Sequence, residues 1–440
     1  MSPPRNDDGI EALFPEGHPL ARLVLPTFDR IRATLDDRFV ATVWVDATED
    51  PTRAGFRPSY DSVHGPGSST MMPFVAAWLS SGPQPRGASN VVLFPDVMDA
   101  TLVDYARDVG ILGEHAWVKG VRGMMEHVER DPRRRKLYNI DDLDPAFDSH
   151  AVVSAALSRW VNSKEDLASL TRFCPREIVT DMYEATADHY REIAGERGGR
   201  VFLKTCNTEN AGRGVYIAND RAEMEAQLTL IRETQRAHGL SRRLVLQPEI
   251  VGTNKSFQVL LDPRDGGRVQ VIALSDQIVE PDGKTYRSSI NHPITKDTVA
   301  PVGEAILDMV DRIWARFPDA FGFLMSDYFQ TASGPVIYDP GIRPTGNTAT
   351  AMAAHLARSL TGRFFATSLV PLPTNNPGLP WTGFVKKQPG LFSPESLVKE
   401  GRAVMPWGWN RIQGFGMLVA IAETEEALPS VRAELERLCT

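Results

Sequence analysis

Cysteine is scarce in this chain, with three copies, Cys174, Cys206 and Cys439, among 440 residues. They lie far apart, and none belongs to a Cys-X-X-Cys pair. Structural zinc sites and disulfide frameworks need paired or closely spaced cysteines, so the sequence predicts neither. Cys206 follows Lys204 by two residues. We interpret it as a buried thiol beside a strand rather than as a nucleophile.

Long apolar runs and an excess of basic charge are also missing. No stretch approaches the ~20 apolar residues of a membrane span, and residues 1–8 lack the apolar core of a signal peptide. Lys and Arg total 48 against 56 Asp and Glu, a net charge of −8, whereas a nucleic-acid partner favours a basic face. The basic run at residues 133–136 is interpreted as a solvated segment. We therefore predict a cytoplasmic protein without a membrane segment or a nucleic-acid partner.

The length of the chain is too great for one ordinary core, so two or three domains are expected. A hydrophobic fraction of 42% and a charged fraction of 24% are typical of a soluble globular protein. Strand patterns at residues 38–46 and 91–95, with a helix at 100–109, predict a small parallel α/β domain. A proline-rich stretch at 371–380 predicts a linker, followed by a small module with a strand at 417–422.

Residues 200–214 combine a strand, a lysine and a glycine loop. Lys204 ends the apolar strand, and Gly212 and Gly214 follow in a Gly-Arg-Gly turn. Such glycines let backbone N–H groups approach phosphate oxygens, and the ammonium supplies charge. On this motif alone, a glycine-rich hairpin with a solvated lysine is the simpler interpretation. Helices are predicted at residues 162–170, with Ser163 as N-cap, and at 181–196 and 222–238.

Two acids occur on neighbouring predicted strands further along the chain. Asp327 and Asp339 flank a short turn at residues 331–334, which predicts a hairpin. Two adjacent carboxylates repel unless a cation lies between them. Mg²⁺ accepts a few carboxylate ligands and takes its other oxygens from water and nucleotide phosphates. The hairpin therefore predicts a magnesium site.

The order of these parts over roughly residues 160–350 resembles the ATP-grasp superfamily of carboxylate-amine ligases. The resemblance implies an α/β (α+β) fold with an N-terminal pre-ATP-grasp α/β domain, a two-lobed core and a small α+β C-terminal module. The corresponding domain predictions are 1–160, 161–246 for the lobe with the glycine loop, 247–370 for the lobe with the adenine hinge and metal site, and 371–440. Residues 274–286 and 339–348 are most similar to the pheganomycin-type peptide ligases of natural-product pathways.

The resemblance also implies roles for individual residues. It assigns the phosphates to Lys164, Lys204 and the loop residues Asn210, Gly212, Arg213 and Gly214; the nucleoside to Gln247, the backbone of Pro248, Glu249 and Ile250, and Asn254; the magnesium to Asp327 and Asp339; and the acyl phosphate to Arg343, with Arg287 as the next candidate cation.

Three positions depart from the family pattern. Gly341 stands where the family has a metal-binding asparagine, so one magnesium is held less tightly, or another group such as Asn347 substitutes. Gln247 and Asn254 are amides where carboxylates are usual. Because amides still hydrogen-bond adenine and ribose, ATP binding is not excluded.

The resemblance implies an enzyme that forms an amide bond from a small-molecule carboxylate and an amine, with ATP and Mg²⁺, through an acyl phosphate. Its implied setting is natural-product or antibiotic biosynthesis. Three alternatives stay open: loading of an amino acid onto a carrier protein, a phosphotransferase that makes ADP with no acceptor amine, and a nucleotide-binding regulator without turnover. A carrier protein and a second copy of the chain are further candidate partners. The sequence names neither substrate.

Overall fold

The computed structural model describes most of the chain. The described residues are 9–36, 39–41, 92–95, 100–108, 115–118, 120–131, 136–138, 149–195, 199–206, 214–238, 241–279, 286–373, 380–410 and 415–439. The predicted loop residues Asn210, Gly212 and Arg213 lie outside them.

The strands, in chain order, are β1 (Ile10–Ala12), β2 (Leu23–Pro26), β3 (Phe39–Ala41), β4 (Val92–Pro95), β5 (His115–Val118), β6 (Lys136–Tyr138), β7 (Ile178–Asp181), β8 (Val201–Thr205), β9 (Val215–Ala218), β10 (Arg243–Pro248), β11 (Thr253–Leu261), β12 (Val269–Val279), β13 (Tyr286–Asn291), β14 (Gly322–Thr331), β15 (Gly334–Ile342), β16 (Ala366–Pro373), β17 (Arg402–Asn410) and β18 (Phe415–Ala422). The helices are α1 (Phe28–Asp36), α2 (Ala100–Asp108), α3 (Gly120–Arg130), α4 (Ala155–Asn162), α5 (Leu167–Leu170), α6 (His189–Ala194), α7 (Arg221–His238), α8 (Lys296–Arg316), α9 (Gly346–Thr361), α10 (Trp381–Val385), α11 (Glu395–Glu400) and α12 (Leu428–Cys439), with 3₁₀ turns at Lys164–Asp166, Pro389–Phe392 and Glu425–Ala427.

A large sheet forms the centre of the fold, in the order β15-β14-β11-β12-β13-β16-β18-β17, with β2 beside β12 and β1 beside β2. Neighbours along this order are antiparallel. Side chains alternate between the two faces of a strand. In β11, Phe257 and Val259 accordingly join the core beneath α8, while Leu260 joins the core beneath α9. Both faces are thus covered by helices.

A smaller antiparallel sheet has the order β7-β10-β8-β9. Helix α7 covers one face, where Met224 and Leu228 share a buried core with Leu203 of β8. The expected packing of this helix against the Lys204 strand is confirmed. Toward the N-terminus, β3 pairs with β6 and β4 with β5, both in parallel, as expected for a parallel α/β region.

Three sequence-based boundaries are corrected. The predicted helix over 181–196 is wrong in its first half, because β7 pairs with β10 as far as Asp181, whose carboxylate then accepts a hydrogen bond from Tyr183 N at 2.9 Å. The predicted linker begins too early, since residues 371–373 belong to β16. Pro371 is tolerated there because β16 pairs with β13 only at Thr367 and Ser368.

The third correction concerns residues 162–170, which do not form one helix. Helix α4 ends at Asn162, a 3₁₀ turn covers Lys164–Asp166, and α5 follows. Ser163 is extended between them and makes no capping hydrogen bond. The predicted domain boundaries at residues 160, 246 and 370 stay predictions.

Candidate active site

The two predicted metal carboxylates face each other across a hairpin. Asp327 of β14 lies directly opposite Asp339 of β15 in the strand register. Desolvation, and then the charge of Asp339, raise the pKa of Asp327 well above its ordinary value, while Gln277, Lys204 and Arg343 act in the opposite direction. Gln277 Nε2 donates a hydrogen bond to Asp327 Oδ1. The pair therefore forms a concentration of negative charge that a cation would relieve.

Lys164 approaches this pair from the 3₁₀ turn after α4. Its Nζ lies 3.5 Å from Asp339 Oδ1, and its side chain is 9% exposed. A buried ammonium requires a partner of opposite charge, and a lysine at the start of a helical turn opposes the helix dipole. Its position next to the acid pair supplies that partner. The structure thus brings together Lys164 and Asp339, two residues that are 175 positions apart in the sequence.

Lys204 reaches the same place from the small sheet. Its Nζ lies 3.4 Å from Tyr338 O and 4.8 Å from the centre of the Tyr338 ring. Burial lowers the pKa of Lys204 to about 8; Lys164 acts in the same direction, and Asp339, Glu177 and Asp327 oppose it. A lysine whose ammonium is desolvated in this way gains from any further anion, such as a phosphate.

Tyr338 is brought to Lys204 by a β-bulge. Asp327 pairs with Asp339 but the next residue, Tyr328, pairs with Ile337, so Tyr338 is the additional residue of β15. Bulges of this kind redirect a side chain. The Tyr338 hydroxyl donates a hydrogen bond to Asn254 Oδ1 at 2.9 Å. Tyr338 therefore connects the predicted phosphate lysine with the predicted ribose residue.

Glu177 is a residue of this site that the sequence interpretation missed. Its Oε2 accepts a hydrogen bond from Gln247 Nε2 at 2.8 Å, and its charge acts on Lys204. Burial raises the pKa of Glu177, and Gln247 and Lys204 oppose the rise. Glu177 reaches Gln247 because Ile178 pairs with Leu246 in the β7–β10 register. No local motif indicates that pairing.

The remaining hinge residues follow β10. Pro248 ends the strand, and Glu249 N donates to Arg200 O at 2.9 Å. The Glu249 carboxylate accepts a hydrogen bond from Arg200 Nε at 2.9 Å, and this contact lowers the pKa of Glu249. Ile250 is half-buried. These contacts fix the backbone segment that the sequence assigns to the adenine edge.

Asn347, the predicted substitute ligand, belongs to a buried hydrogen-bond network. Its Nδ2 donates to Ser256 Oγ at 2.8 Å and to Ser275 Oγ at 3.4 Å, and its Oδ1 accepts from Ser289 Oγ. Ser256 pairs with Asp327 in the register of β11 and β14. The amide is therefore engaged in a buried network beside the acid pair.

Arg343, Arg287 and Gly214 are the remaining predicted site residues with a described backbone. Arg343 follows β15, and its charge opposes the raised pKa of Asp327, which locates it near the acid pair. The backbone of Arg287 lies in β13; its side chain is outside the described part of the structure. Gly214 has φ +68°, which favours glycine, and its carbonyl accepts from Thr205 N at 2.9 Å. It closes the base of the predicted phosphate loop.

The described residues contain neither a cluster of three or more His, Cys, Asp or Glu metal ligands nor a membrane-spanning helix.

Solved structures with the same fold are found at low sequence identity. An N5-carboxyaminoimidazole synthase from Aspergillus clavatus, in complex with ADP and 5-aminoimidazole ribonucleotide, has a TM-score of 0.57 and 10% identity over 92% of this chain and 99% of that one. A phosphoribosylamine–glycine ligase from Thermotoga maritima has a TM-score of 0.54 and 15% identity over 84% and 94%. An L-amino acid ligase from Bacillus licheniformis has a TM-score of 0.51 and 11% identity over 91% and 97%.

These similar structures are ATP-grasp carboxylate-amine ligases, and at such identities they establish the fold alone. The predicted α/β (α+β) fold class is confirmed. No protein-family model matches the sequence, and no curated protein matches it.

Proposed function

We propose that the chain is an ATP-dependent ligase that joins a carboxylate to an amine. The observation that carries this proposal is the meeting of two buried lysines, Lys164 and Lys204, with two facing acids, Asp327 and Asp339. The cations suit phosphate oxygens and the acids suit a divalent cation, so the set matches the two halves of a magnesium nucleotide. The ligases with this fold support the same conclusion.

The acid pair fits Mg²⁺ in donor type and charge. Two carboxylates at facing positions repel, and after desolvation the charge of Asp339 is the second cause of the raised pKa of Asp327. Asp327 and Asp339 would hold the ion, with nucleotide phosphates and water as its other oxygens. When bound, magnesium would neutralise charge on the phosphates during transfer. The MgADP complex of a 2-oxoglutarate carboxylase biotin carboxylase domain with this fold supports this choice of metal.

The nucleotide would extend from the acid pair toward the small sheet. In this proposal Lys204, Lys164 and the loop residues Asn210 to Gly214 bind the phosphates. Asn254 lies one hydrogen bond from Tyr338, which itself contacts Lys204, so ribose and phosphate groups would be close together. Gln247, oriented by Glu177, and the backbone of Pro248 to Ile250 would hold the base.

The reaction would take place in two steps. A substrate carboxylate oxygen bonds to the γ-phosphorus while the bridging P–O bond breaks, and ADP leaves. The amine nitrogen then bonds to the carbonyl carbon of the acyl phosphate, the C–O bond to phosphate breaks, and the nitrogen loses its proton. Arg343 would neutralise the acyl phosphate, because a planar guanidinium holds several oxygens at once. Positioning and charge neutralisation supply the catalysis.

We further propose peptide or amino-acid ligation in a natural-product pathway, on the motifs at residues 274–286 and 339–348. The L-amino acid ligase of the same fold supports an amino-acid substrate.

The test is ADP release from the purified protein with panels of carboxylic acids, with and without amino acids as acceptors. A ligase should release ADP rapidly only when an acid and an amine are both present. An acid alone should give slow release at most. Loading of a carrier protein would instead require that protein. Absence of ADP release over a broad panel, with nucleotide bound, would favour the regulator and contradict the proposal.

A further inference from the structure

A side chain at Gly341 would be tightly confined. A Cβ atom at this position would lie 3.2 Å from Asn162 Oδ1 and 3.3 Å from Met325 Sδ. Gly341 is not among the glycines with positive φ. The backbone would therefore accept another residue, and the neighbouring side chains are what limit it. Asn162, the last residue of α4, occupies this space from outside the sheet.

Two hydrogen bonds fix the orientation of the Asn162 carboxamide. Its Nδ2 donates to Ser158 Oγ at 3.0 Å, and its Oδ1 accepts from Ile342 N at 3.2 Å. An amide oxygen has two lone pairs. In the described part of the chain, Ile342 N is the donor that uses one of them. The oxygen is thus presented to β15 with capacity for one more contact.

The position of this oxygen relates it to the acid pair. Side chains two residues apart on a strand point to the same face, so the side-chain space at Gly341 lies on the face of Asp339. Lys164, two residues after Asn162, contacts Asp339 at 3.5 Å. The end of α4 and the turn after it therefore approach this one edge of the sheet with both an amide oxygen and an ammonium.

We propose that the Asn162 carboxamide oxygen is the third protein oxygen of the divalent-cation site of Asp327 and Asp339, and that Gly341 is small in order to admit it. An amide oxygen suits a hard cation and adds no charge to an already repelling pair of acids. The inference rests on the proposed function, whose metal site it completes.

The test measures Mn²⁺ binding in the presence of ADP by electron paramagnetic resonance, without turnover. Asn162→Ala should weaken Mn²⁺ binding about tenfold or more, the range seen when groups around a bound metal are removed. Asn162→Asp, which retains the oxygen, should bind Mn²⁺ at least as tightly as the wild type. Asn219→Ala, at an exposed asparagine that follows β9, is the matched control and should have no effect.

A position swap separates ligation from packing. Gly341→Asn alone should lower the melting temperature, because its side chain meets Asn162 Oδ1. The double variant Asn162→Ala, Gly341→Asn removes the overlap with Asn162 and supplies an amide from β15. We expect its Mn²⁺ affinity to return to within about threefold of wild type, well inside the tenfold loss expected of the single variant.

Wild-type Mn²⁺ affinity in a folded Asn162→Ala protein would overturn the inference. So would a loss that neither Asn162→Asp nor the swap restores, because Asn162 would then only hold the edge of β15. Asp327→Asn serves as the benchmark for the underlying site. If that variant also binds Mn²⁺ normally, the metal site of the proposed function fails as well, and the two failures are distinguished.

Discussion

The small sheet and the large sheet contribute opposite charges to the candidate site. The small sheet brings Lys204, whose pKa burial lowers to about 8. The large sheet brings Asp327, whose pKa is raised by desolvation and by Asp339. Both shifts disfavour the charged form. Each charge is therefore unfavourable in its own sheet, and the two charges partly offset each other where the sheets meet.

The contact between the sheets shows how this balance is achieved. Lys204 of the small sheet contacts the carbonyl and ring of Tyr338, the residue next to Asp339. The positive and negative charges that remain in the site suit a ligand that itself carries charges of both signs, as a magnesium nucleotide does. We therefore predict that variants at the acids of the large sheet weaken magnesium binding, whereas variants at Lys204 of the small sheet weaken phosphate binding.

The largest expected effect is that of Asp327→Asn. It removes one of the two facing charges, so magnesium is no longer held and ADP formation should fall by at least ~10²- to 10³-fold, as when a principal electrostatic contact of a transition state is lost. Initial rates of ADP release measure this. Asp319→Asn, at an exposed acid of the same region, should leave the rate unchanged. Normal turnover in folded Asp327→Asn protein would refute the metal assignment.

Arg343→Lys should have the next largest effect. A lysine keeps the charge but loses the planar fork, so a role at the acyl phosphate predicts a loss of ~2 to 4 kcal/mol in kcat/KM with ATP affinity little changed. Steady-state kinetics with calorimetric ATP binding separate the two quantities. Ligation at a near wild-type rate would exclude Arg343 as a catalytic residue, and Arg287 would be tested next.

Glu177→Gln examines the small-sheet half. It removes the carboxylate that accepts from Gln247 and balances Lys204. A hydrogen bond to a charged group is worth ~1.5 to 3 kcal/mol, so the KM for ATP should rise about tenfold or more, with a smaller change in kcat. Glu184→Gln, at an exposed glutamate, is the control. If KM is unchanged, Glu177 does not orient the base site.

The smallest effect is expected at His292, whose charge is balanced without residues of the small sheet. His292 lies 3.1 Å from Asp276 Oδ1 through Nε2 and 2.7 Å from Glu425 Oε1 through Nδ1. The contact with the Asp276 carboxylate raises the pKa of His292, although desolvation opposes it. Because folding raises the pKa of His292, its protonated form stabilises the folded state at pH values below the ordinary pKa of 6.5. This stabilisation is lost as the pH rises through the raised pKa.

Melting temperatures at pH 6 and pH 8.5 measure this contribution. Because the side chains of His292 and Glu425 are partly exposed, this contact should contribute at most ~1 kcal/mol to the change in the free energy of unfolding over this pH range. His292→Gln should remove most of that pH dependence. An identical pH dependence in the variant would show that the contacts of His292 with Asp276 and Glu425 contribute nothing to stability.

The strands and the acid pair could be predicted from sequence because their signals are local. A four-residue turn between two apolar patterns places Asp327 and Asp339 on neighbouring strands, and the structure has this hairpin. The same reasoning located Lys204 at the end of its strand. Alternating side chains and short turns determine such features without information from distant residues.

The features that were missed depend on distant pairing. Glu177 joins the site because its neighbour Ile178 in β7 pairs with Leu246 in β10, 68 positions later. Tyr338 reaches Lys204 through a bulge that an alternating pattern does not reveal. The helix predicted from residue 181 failed for the same reason, because pairing with β10 holds that residue in a strand. Local propensity is overridden wherever tertiary pairing decides the conformation.

The most direct test of the account is a crystal structure with Mg²⁺ and a non-hydrolysable ATP analogue. We predict a magnesium ion with oxygens of both Asp327 and Asp339 at about 2.0 to 2.1 Å, and the ammonium of Lys204 on a phosphate oxygen. A nucleotide bound elsewhere, or a metal ion that neither aspartate contacts, would contradict the assignment of this site as the nucleotide-binding centre.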